Sequence, residues 1–116
     1  MNSEIKAILS DLIVNDINIP ASHLKYTGEA KTYVTWSIIS DKPEISANDE
    51  DLYSVVQVDI DIFSDSNYLS IKKEIKKRFN ENEWIWVEDS SEMYEEDTKL
   101  YHQTLTFEKG KVLVNG

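Results

Sequence analysis

The segment from Tyr53 to Ser64, with the sequence YSVVQVDIDIFS, decides the fold expected for this chain. From Val56 onward, its side chains alternate between two faces. One face is entirely apolar and the other is mostly polar: the first consists of Val56, Val58, Ile60 and Ile62, and the second of Gln57, Asp59, Asp61 and Phe63. Alternation with a period of two is typical of a strand that buries one face and exposes the other. The pattern predicts a strand over residues 53–64, around which the remaining elements are placed.

The residues before this strand predict one helix and one further strand. Ser3 is a suitable N-cap, and Pro20 prevents a helix from continuing past it. Between them, apolar residues recur at the spacing of an amphipathic helix, namely at Ile5, Ile8, Leu9, Leu12 and Ile13. This spacing predicts a helix over residues 3–15. Residues 32–40 are rich in β-branched and aromatic side chains, which favour a strand.

The rest of the chain predicts a mobile loop, a second helix and two more strands. Residues 41–51 combine Pro43 with clustered acids and few apolar side chains, so we expect a mobile acidic loop there. An apolar stripe predicts a helix over residues 67–80, and strands are expected at 83–88 and 99–108. The short connections between the predicted elements favour one α+β domain over residues 1–116. We expect a mainly antiparallel sheet of about four strands with two helices packed on one face.

Composition excludes several functional classes. The 116 residues carry a formal net charge of -10, which argues against binding to a nucleic-acid backbone or an anionic membrane surface. The chain has no cysteine, so it offers neither a disulfide framework nor a cysteine-based zinc site. No signal peptide or membrane-spanning segment is expected, and synthesis in a reducing cytoplasm fits the cysteine count. The acidic balance fits either simple solubility or a surface that repels DNA.

The sequence gives little support for catalysis or for a bound cofactor. His23 and His102 are far apart, and neither has the spacing of a metal ligand. Asp59, Asp61 and Asp65 are spaced like part of a calcium loop, but Phe63 occupies a ligand position and no turn glycine follows. We therefore predict no catalytic residue, no cofactor and no metal site. A metal-dependent enzyme that uses Asp59 and Asp61 is a weaker alternative.

The segment around residues 83–88 has apolar residues on both faces of its predicted strand. Trp84 and Trp86 share one face, while Ile85 and Val87 share the other. Such a strand needs cover on both sides. Either the rest of the chain supplies that cover, or another copy or a partner protein does.

The order of short motifs resembles that of the tail-completion proteins of long-tailed phages and Gram-positive prophages, which are also called tail-terminator or head–tail joining proteins. The resemblance covers roughly residues 5–107. Its most specific parts are Gln57-Val58-Asp59, Asn67-Tyr68 and the segment from Tyr94 to Phe107. The Thr32–Trp36 strand and a long acidic loop precede the first of these, in the order that the family shows, although Trp36 stands where the family commonly has Phe.

The resemblance implies a structural role in a virion rather than chemistry. Such proteins cap the tail tube as a ring, commonly a hexamer, and contact both the major tail tube protein and the head connector or stopper protein. DNA passes through the lumen without specific binding. The implied location is the tail–head junction of a virion made in the bacterial cytoplasm. We expect acids to line the lumen or the subunit contacts: Glu44, Asp49, Glu50, Asp51, Asp59, Asp61, Glu92, Glu95, Glu96 and Asp97. The alternative is a small acidic cellular adaptor or inhibitor domain.

Overall fold

The structure, a computed structural model, describes residues 2–45 and 52–112. The elements in chain order are α1 (Asn2–Leu9), β1 (Ile13–Val14), β2 (Ile17–Asn18), β3 (Ala21–His23), β4 (Tyr33–Ile45), β5 (Leu52–Ser64), α2 (Leu69–Glu81), β6 (Ile85–Asp89), β7 (Met93–Glu95) and β8 (Leu100–Val112). Strands β1 and β2 form a separate hairpin. The other strands form one sheet, which gives the α+β architecture that the sequence predicts.

The main sheet has six strands among the described residues, in the order β3-β4-β5-β8-β6, with β7 also paired to β8. Strands β3 and β4 are parallel, and every other pair in this sheet is antiparallel. The expectation of a mainly antiparallel sheet is confirmed, but the expectation of about four strands was wrong. The two missed strands, β3 and β7, have three residues each, which is too short for a period of two to be read from sequence.

The core lies between one face of this sheet and the two helices. In the register of the central strands, Ile60 lies between Trp36 and Leu105, and Val58 pairs with Phe107. Helix α1 adds Ile5, Ile8 and Leu9 to the same cluster, and α2 adds Ile71, Ile75 and Phe79. Both helices therefore pack on the face of β5 that the alternation identified as apolar. The opposite face of the sheet remains without a helix among the described elements.

The first helix is shorter than predicted. It ends at Leu9, whereas the apolar spacing predicted a helix over residues 3–15. Asp11 then adopts a positive φ of 52°, which a continuing helix does not permit. Asn15 and Asp16 also have positive φ, at 53° and 65°, and form the turn between β1 and β2. Asn and Asp tolerate this conformation, and two such residues in succession suit a tight hairpin turn. The hairpin, with Ile13 at 56% exposure, replaces the last turns of the predicted helix.

The acidic segment 41–51 was wrongly predicted to be a loop over its first part. Residues 41–45 continue β4, and their partners in β5 run from Val56 back to Leu52. Pro43 is tolerated because, among the described residues, β3 pairs with β4 only at residues 34–36, which leaves β4 an edge strand at this point. Residues 46–51 lie outside the described part of the chain. The strand predicted at 32–40 therefore extends to Ile45.

The remaining boundaries differ by fewer residues. The strand predicted at 53–64 begins at Leu52, and the helix predicted at 67–80 is Leu69–Glu81. The strand predicted at 83–88 is Ile85–Asp89, and that predicted at 99–108 runs from Leu100 to Val112. A three-residue turn before β6, in which Glu83 has a φ of 67°, delays the start of that strand.

The sheet extends beyond the helices along the strand direction. Strands β4, β5 and β8 have 13 residues each, and a strand of that length spans about 43 Å. Helix α2 also has 13 residues but spans only about 20 Å. The molecule measures 51 × 26 × 23 Å, and its radius of gyration is 15.8 Å, against about 13 Å for a compact domain of this length. The paired strands therefore project as a ribbon.

Arg78 connects α2 to the end of α1. Its guanidinium donates to the backbone carbonyls of Ile8, Ser10 and Asp11 at 2.8–3.1 Å. It also pairs with Glu74 at 2.8 Å, one turn earlier in α2. The carbonyl oxygens at the end of a helix receive no hydrogen bond from within the helix. A guanidinium is planar and carries several N–H donors, so it can bond to more than one of them. This contact holds the abrupt end of α1 in place.

We predict that Arg78→Lys lowers the free energy of unfolding by about 1–3 kcal/mol, since an ammonium keeps the charge but cannot reach the three carbonyls as the guanidinium fork does. Urea denaturation of the two proteins measures the difference. The matched control is Lys77→Ala, an exposed neighbour that should change stability by less than about 0.5 kcal/mol. Equal stability of the Arg78→Lys variant and the unsubstituted protein would contradict this role.

Candidate functional site

The sheet face opposite the helices, here called the open face, carries rows of polar side chains. The register places Thr35, Asp61 and Thr104 in one row, and Ser37, Asp59, Thr106 and Glu88 in the next. A third row contains Ser40, Gln57, Glu108 and Ile85. Thr35 is buried, and most of the others are partly exposed. Within residues 21–40 and 55–110, no lysine or arginine occupies these rows.

The two aspartates of β5 accept hydrogen bonds from hydroxyls of β8. Thr106 Oγ1 donates to Asp59 Oδ1 at 2.7 Å, and Thr104 Oγ1 donates to Asp61 Oδ1 at 2.5 Å. Asp61 Oδ1 also lies 3.1 Å from His102 Nε2. Further along the face, Gln57 Nε2 donates to a carboxylate oxygen of Glu108 at 3.1 Å. These cross-strand bonds fix the carboxylates in place and satisfy part of their hydrogen-bonding capacity.

Burial raises the pKa of Asp59 above its ordinary value of 3.8, and the negative charges of Asp61 and Glu88 act in the same direction. The hydrogen bond from Thr106 opposes the shift without reversing it. The ionised form of Asp59 is therefore less stable in the folded protein than in the unfolded chain. Its ionisation costs stability at neutral pH, and the cost disappears where the carboxyl is protonated in both states.

We predict that Asp59→Asn raises the melting temperature at pH 7, because asparagine is uncharged and its amide oxygen still accepts from Thr106. The gain should shrink as the pH falls through the raised pKa, and it should vanish below about pH 3, where the unfolded carboxyl is protonated as well. Thermal denaturation of both proteins at several pH values between about 3 and 7 measures the difference in melting temperature. Asp65→Asn, at an exposed position, is the control and should change little. A lower melting temperature for Asp59→Asn at pH 7 would refute the interpretation.

A row of four stacked rings crosses the open face at one end. Tyr26 stacks on Tyr33 with ring centroids 4.4 Å apart, Tyr33 on Phe63 at 4.8 Å, and Phe63 on His102 at 4.2 Å. Burial raises the pKa of Tyr33, as does the nearby negative charge of Glu95. The row connects β4, β5 and β8 and anchors the connection between β3 and β4 through Tyr26. It stiffens a face that has no helix packed on it.

We predict that Phe63→Ala lowers the free energy of unfolding by about 2–3 kcal/mol, since it removes two stacked contacts and their partly buried area. Phe63→Leu keeps most of the apolar volume without the ring, and it should lose only about 1 kcal/mol. Denaturation in urea compares the three proteins. Equal losses for the two variants would show that stacking does not contribute.

Strand β6 exposes apolar side chains on both faces. Ile85 is 64% exposed, Trp86 50% and Val87 38%. Trp86 lies under the ammonium of Lys76, 4.5 Å from the ring centroid, and its indole Nε1 donates to Asp89 at 2.9 Å. A bulge between Trp86 and Glu88 interrupts the pairing with β8. Of the four apolar residues predicted to need cover, the chain itself buries Trp84, which is 2% exposed. The described residues leave Ile85, Trp86 and Val87 largely uncovered.

The acids predicted to line a lumen or a subunit contact fall into separate regions. Asp59 and Asp61 are neighbours on the open face. Glu95 ends β7, and Glu96 and Asp97 lie in the turn before β8. The backbone of Glu44 belongs to β4, whereas Asp49, Glu50 and Asp51 lie outside the described residues. The structure therefore brings together only the two aspartates and, separately, the acids of the β7–β8 turn.

Glu92 lies in a groove on the helix side of the sheet. The hydroxyl of Tyr68, a buried side chain at the start of α2, donates to Glu92 Oε2. Burial and this negatively charged partner raise the pKa of Tyr68 strongly. Lys72, Tyr101 and Gln103 line the same groove. The Tyr68–Glu92 contact fastens the chain after β6 to the second helix.

The described residues hold neither a metal-binding cluster nor a membrane-spanning helix. No group of three or more His, Asp or Glu side chains within residues 2–45 and 52–112 is placed to hold a metal ion. No helix in that part of the chain is long and apolar enough to cross a membrane. Asp59 and Asp61 are neighbours, and the side chains that hydrogen-bond to them are the hydroxyls of Thr104 and Thr106 and the imidazole of His102.

The fold is similar to that of a chain in a structure described as the virion of a native gene transfer agent particle. The superposition has a TM-score of 0.52, with 11% sequence identity, and covers 93% of this chain and 83% of that chain. At this identity, the likeness shows a shared fold. No protein-family model matches the sequence, and no curated protein matches it either.

Proposed function

We propose that this chain is a structural protein of a phage-like virion, and that it caps the tail tube as a ring, most simply a hexamer, at the junction with the head. One observation carries the proposal: nearly the whole chain shares its fold with a chain of a gene transfer agent virion. The order of sequence motifs described above supports the same conclusion independently. The partners would be further copies of the chain, the major tail tube protein and the head connector or stopper protein.

The negative charge of the open face supports a position next to the DNA that passes through the ring. Asp59, Asp61, Glu88 and Glu108 lie on it, and no lysine or arginine interrupts its rows within residues 21–40 and 55–110. A surface of this charge repels a duplex at short range, so DNA would slide along it without being held. We assign the open face to the lumen on this ground, with Asp59 and Asp61 at its centre.

The projecting ribbon of β4, β5 and β8 supports assembly with neighbouring subunits or with the tube. Its hydrogen-bonded strands extend well beyond the ends of both helices. Ribbons of this kind reach adjacent subunits without disturbing the core from which they extend. Glu44 would lie on this ribbon.

We predict that the protein, mixed with tubes of the major tail protein from the same genome, binds tube ends and stops their elongation. Negative-stain imaging should show caps or six-fold rings at the ends, and the tube length should fall as the protein is added in excess. Native mass measurement of the protein alone reports its self-association. The control is the same tube preparation with a small acidic protein of similar charge.

A monomer that ignores tube ends at high concentration would contradict the proposal and favour an acidic adaptor domain. A monomer that assembles only on tube ends would support it, because a ring whose single interfaces are weak forms readily once the tube supplies a template.

A further inference from the structure

A groove between α1 and β3, here called the α1–β3 groove, concentrates positive charge on an acidic protein. It has a volume of about 420 Å³, and its lining includes Asn2, Ser3, Lys6, Ala21, His23 and Trp36. Lys6 makes no ion pair with any residue in 2–45 or 52–112. Among the described residues, no aspartate or glutamate lines the groove. On a chain with a net charge of -10, such a recess favours a negatively charged ligand.

Helix α1 begins beside this groove. Its first two residues, Asn2 and Ser3, are part of the lining. The backbone N–H groups at the start of a helix have no partner within the helix and carry a partial positive charge. The start of α1 therefore favours an anion in the same place as Lys6 does, but neither feature selects one kind of anion.

A buried donor in the wall of the α1–β3 groove has no acceptor. The indole Nε1 of Trp36 makes no hydrogen bond among the described residues, although the side chain is only 4% exposed. Buried donors are satisfied in the great majority of cases. The other two indoles of the chain both donate to carboxylates, Trp84 to Glu4 at 3.1 Å and Trp86 to Asp89 at 2.9 Å. The tryptophan that lacks an acceptor is thus the one that lines the groove.

The side chain beside Trp36 is free to move. His23 lies opposite Trp36 in the register of β3 and β4, and its exposed ring packs on the indole with centroids 5.6 Å apart. No strand within residues 2–45 and 52–112 pairs with the outer side of β3. A shift of the imidazole therefore disturbs no neighbouring strand, and it admits an acceptor from the groove to the indole.

The lining of the groove favours a carboxylate over a phosphate group. Lys6 is the one side chain of fixed positive charge among the described lining residues, whereas a phosphate monoester carries close to two negative charges. The lining has no arginine, the residue best suited to phosphate. A carboxylate has two oxygens, so one can accept from Trp36 while the other pairs with Lys6. The rings of Trp36 and His23 offer apolar contact to a short methylene stem.

The groove is open rather than enclosing. Asn2, Ser3, Lys6 and His23 are all exposed, whereas sites for free small molecules bury most of their ligand. An open groove suits a side chain whose backbone stays outside. Among acidic side chains, glutamate has the longer stem with which to reach a buried donor.

We propose that the α1–β3 groove binds a glutamate side chain on an acidic segment of a partner protein. The carboxylate lies between Lys6, the start of α1 and the indole Nε1 of Trp36, and it supplies the acceptor that this indole lacks. The site depends only on the residues of the groove, so it does not rest on the proposed function. Tube capping and glutamate binding can each fail without the other.

Nuclear magnetic resonance of the indole N–H groups tests the proposal on the intact protein. The probe is the tripeptide Gly-Glu-Gly with both ends capped, titrated at constant ionic strength, and Gly-Gln-Gly is its neutral control. The Trp36 indole proton should move downfield and saturate as it gains an acceptor. The indole protons of Trp84 and Trp86 already have acceptors and should stay in place. The glutamine peptide should move none of the three.

Substitutions separate the two contacts to the carboxylate. Lys6→Gln should weaken binding of the glutamate peptide about tenfold, since it removes one charge-assisted hydrogen bond. Lys73→Gln, at an exposed position of α2, changes the net charge equally and should leave binding unchanged. Trp36→Phe removes the donor and keeps a ring, so it should also weaken binding about tenfold, while Trp86→Phe should not. The backbone amide resonances of Ser3 and His23 report binding in all four variants.

Several results would overturn the proposal. A Trp36 indole resonance that does not respond to the glutamate peptide at high concentration would exclude the site, even if Trp36→Phe fails to fold. Tighter binding of inorganic phosphate than of the peptide would show a phosphate site instead. Equally tight binding of acetate would contradict recognition of a glutamate side chain. A Trp36 shift on concentrating the protein without peptide would replace the partner protein with a second copy of this chain.

Discussion

Burial of one face of β5 is the constraint on which the rest of the structure depends. Val56, Val58, Ile60 and Ile62 are almost completely inaccessible, and the strand that carries them lies between β4 and β8. Both neighbours must present apolar residues to the same side, and both helices must lie on it. The other side of β5 is left to polar residues and one aromatic row. The helices, the open face and the exposed edges all follow from this asymmetry.

The sequence predicted those parts of the fold that repeat a pattern over many residues. The alternation in β5 and the stripe in α2 located both elements within about two residues, and the covered face of the sheet followed from them. The patterns predicted the wrong element where backbone conformation, rather than side-chain spacing, determined the structure. Ile13 continued the apolar stripe of α1, but the residue pair Asn15-Asp16 forms a hairpin turn whose stability depends on positive φ. Acidic composition likewise concealed the strand residues 41–45, since backbone pairing with β5 does not require apolar side chains.

The candidate site was less predictable, because it depends on register. Asp59 and Asp61 were identifiable from the polar face of one strand, but their partners Thr104, Thr106 and His102 lie more than 40 positions away. The aromatic row did leave a signal in the sequence. Its members on the three long strands each lie on the polar side of their own strand, namely Tyr33, Phe63 and His102. The indole Nε1 of Trp36 is buried without a hydrogen-bond acceptor among the described residues. No sequence signal could have revealed this, since it depends on what surrounds the side chain.

The place of β8 in the sheet determines the order in which the molecule can form during synthesis. This strand comes last among the described elements, yet it lies between β5 and β6 and also holds β7. Until it leaves the ribosome, β5 is itself an edge with a free row of backbone groups, and neither β6 nor β7 has a strand to pair with. Contacts that span so much of the chain also form slowly. A surface that includes β6 therefore exists only on a finished subunit, so incomplete chains are excluded from any assembly that uses it.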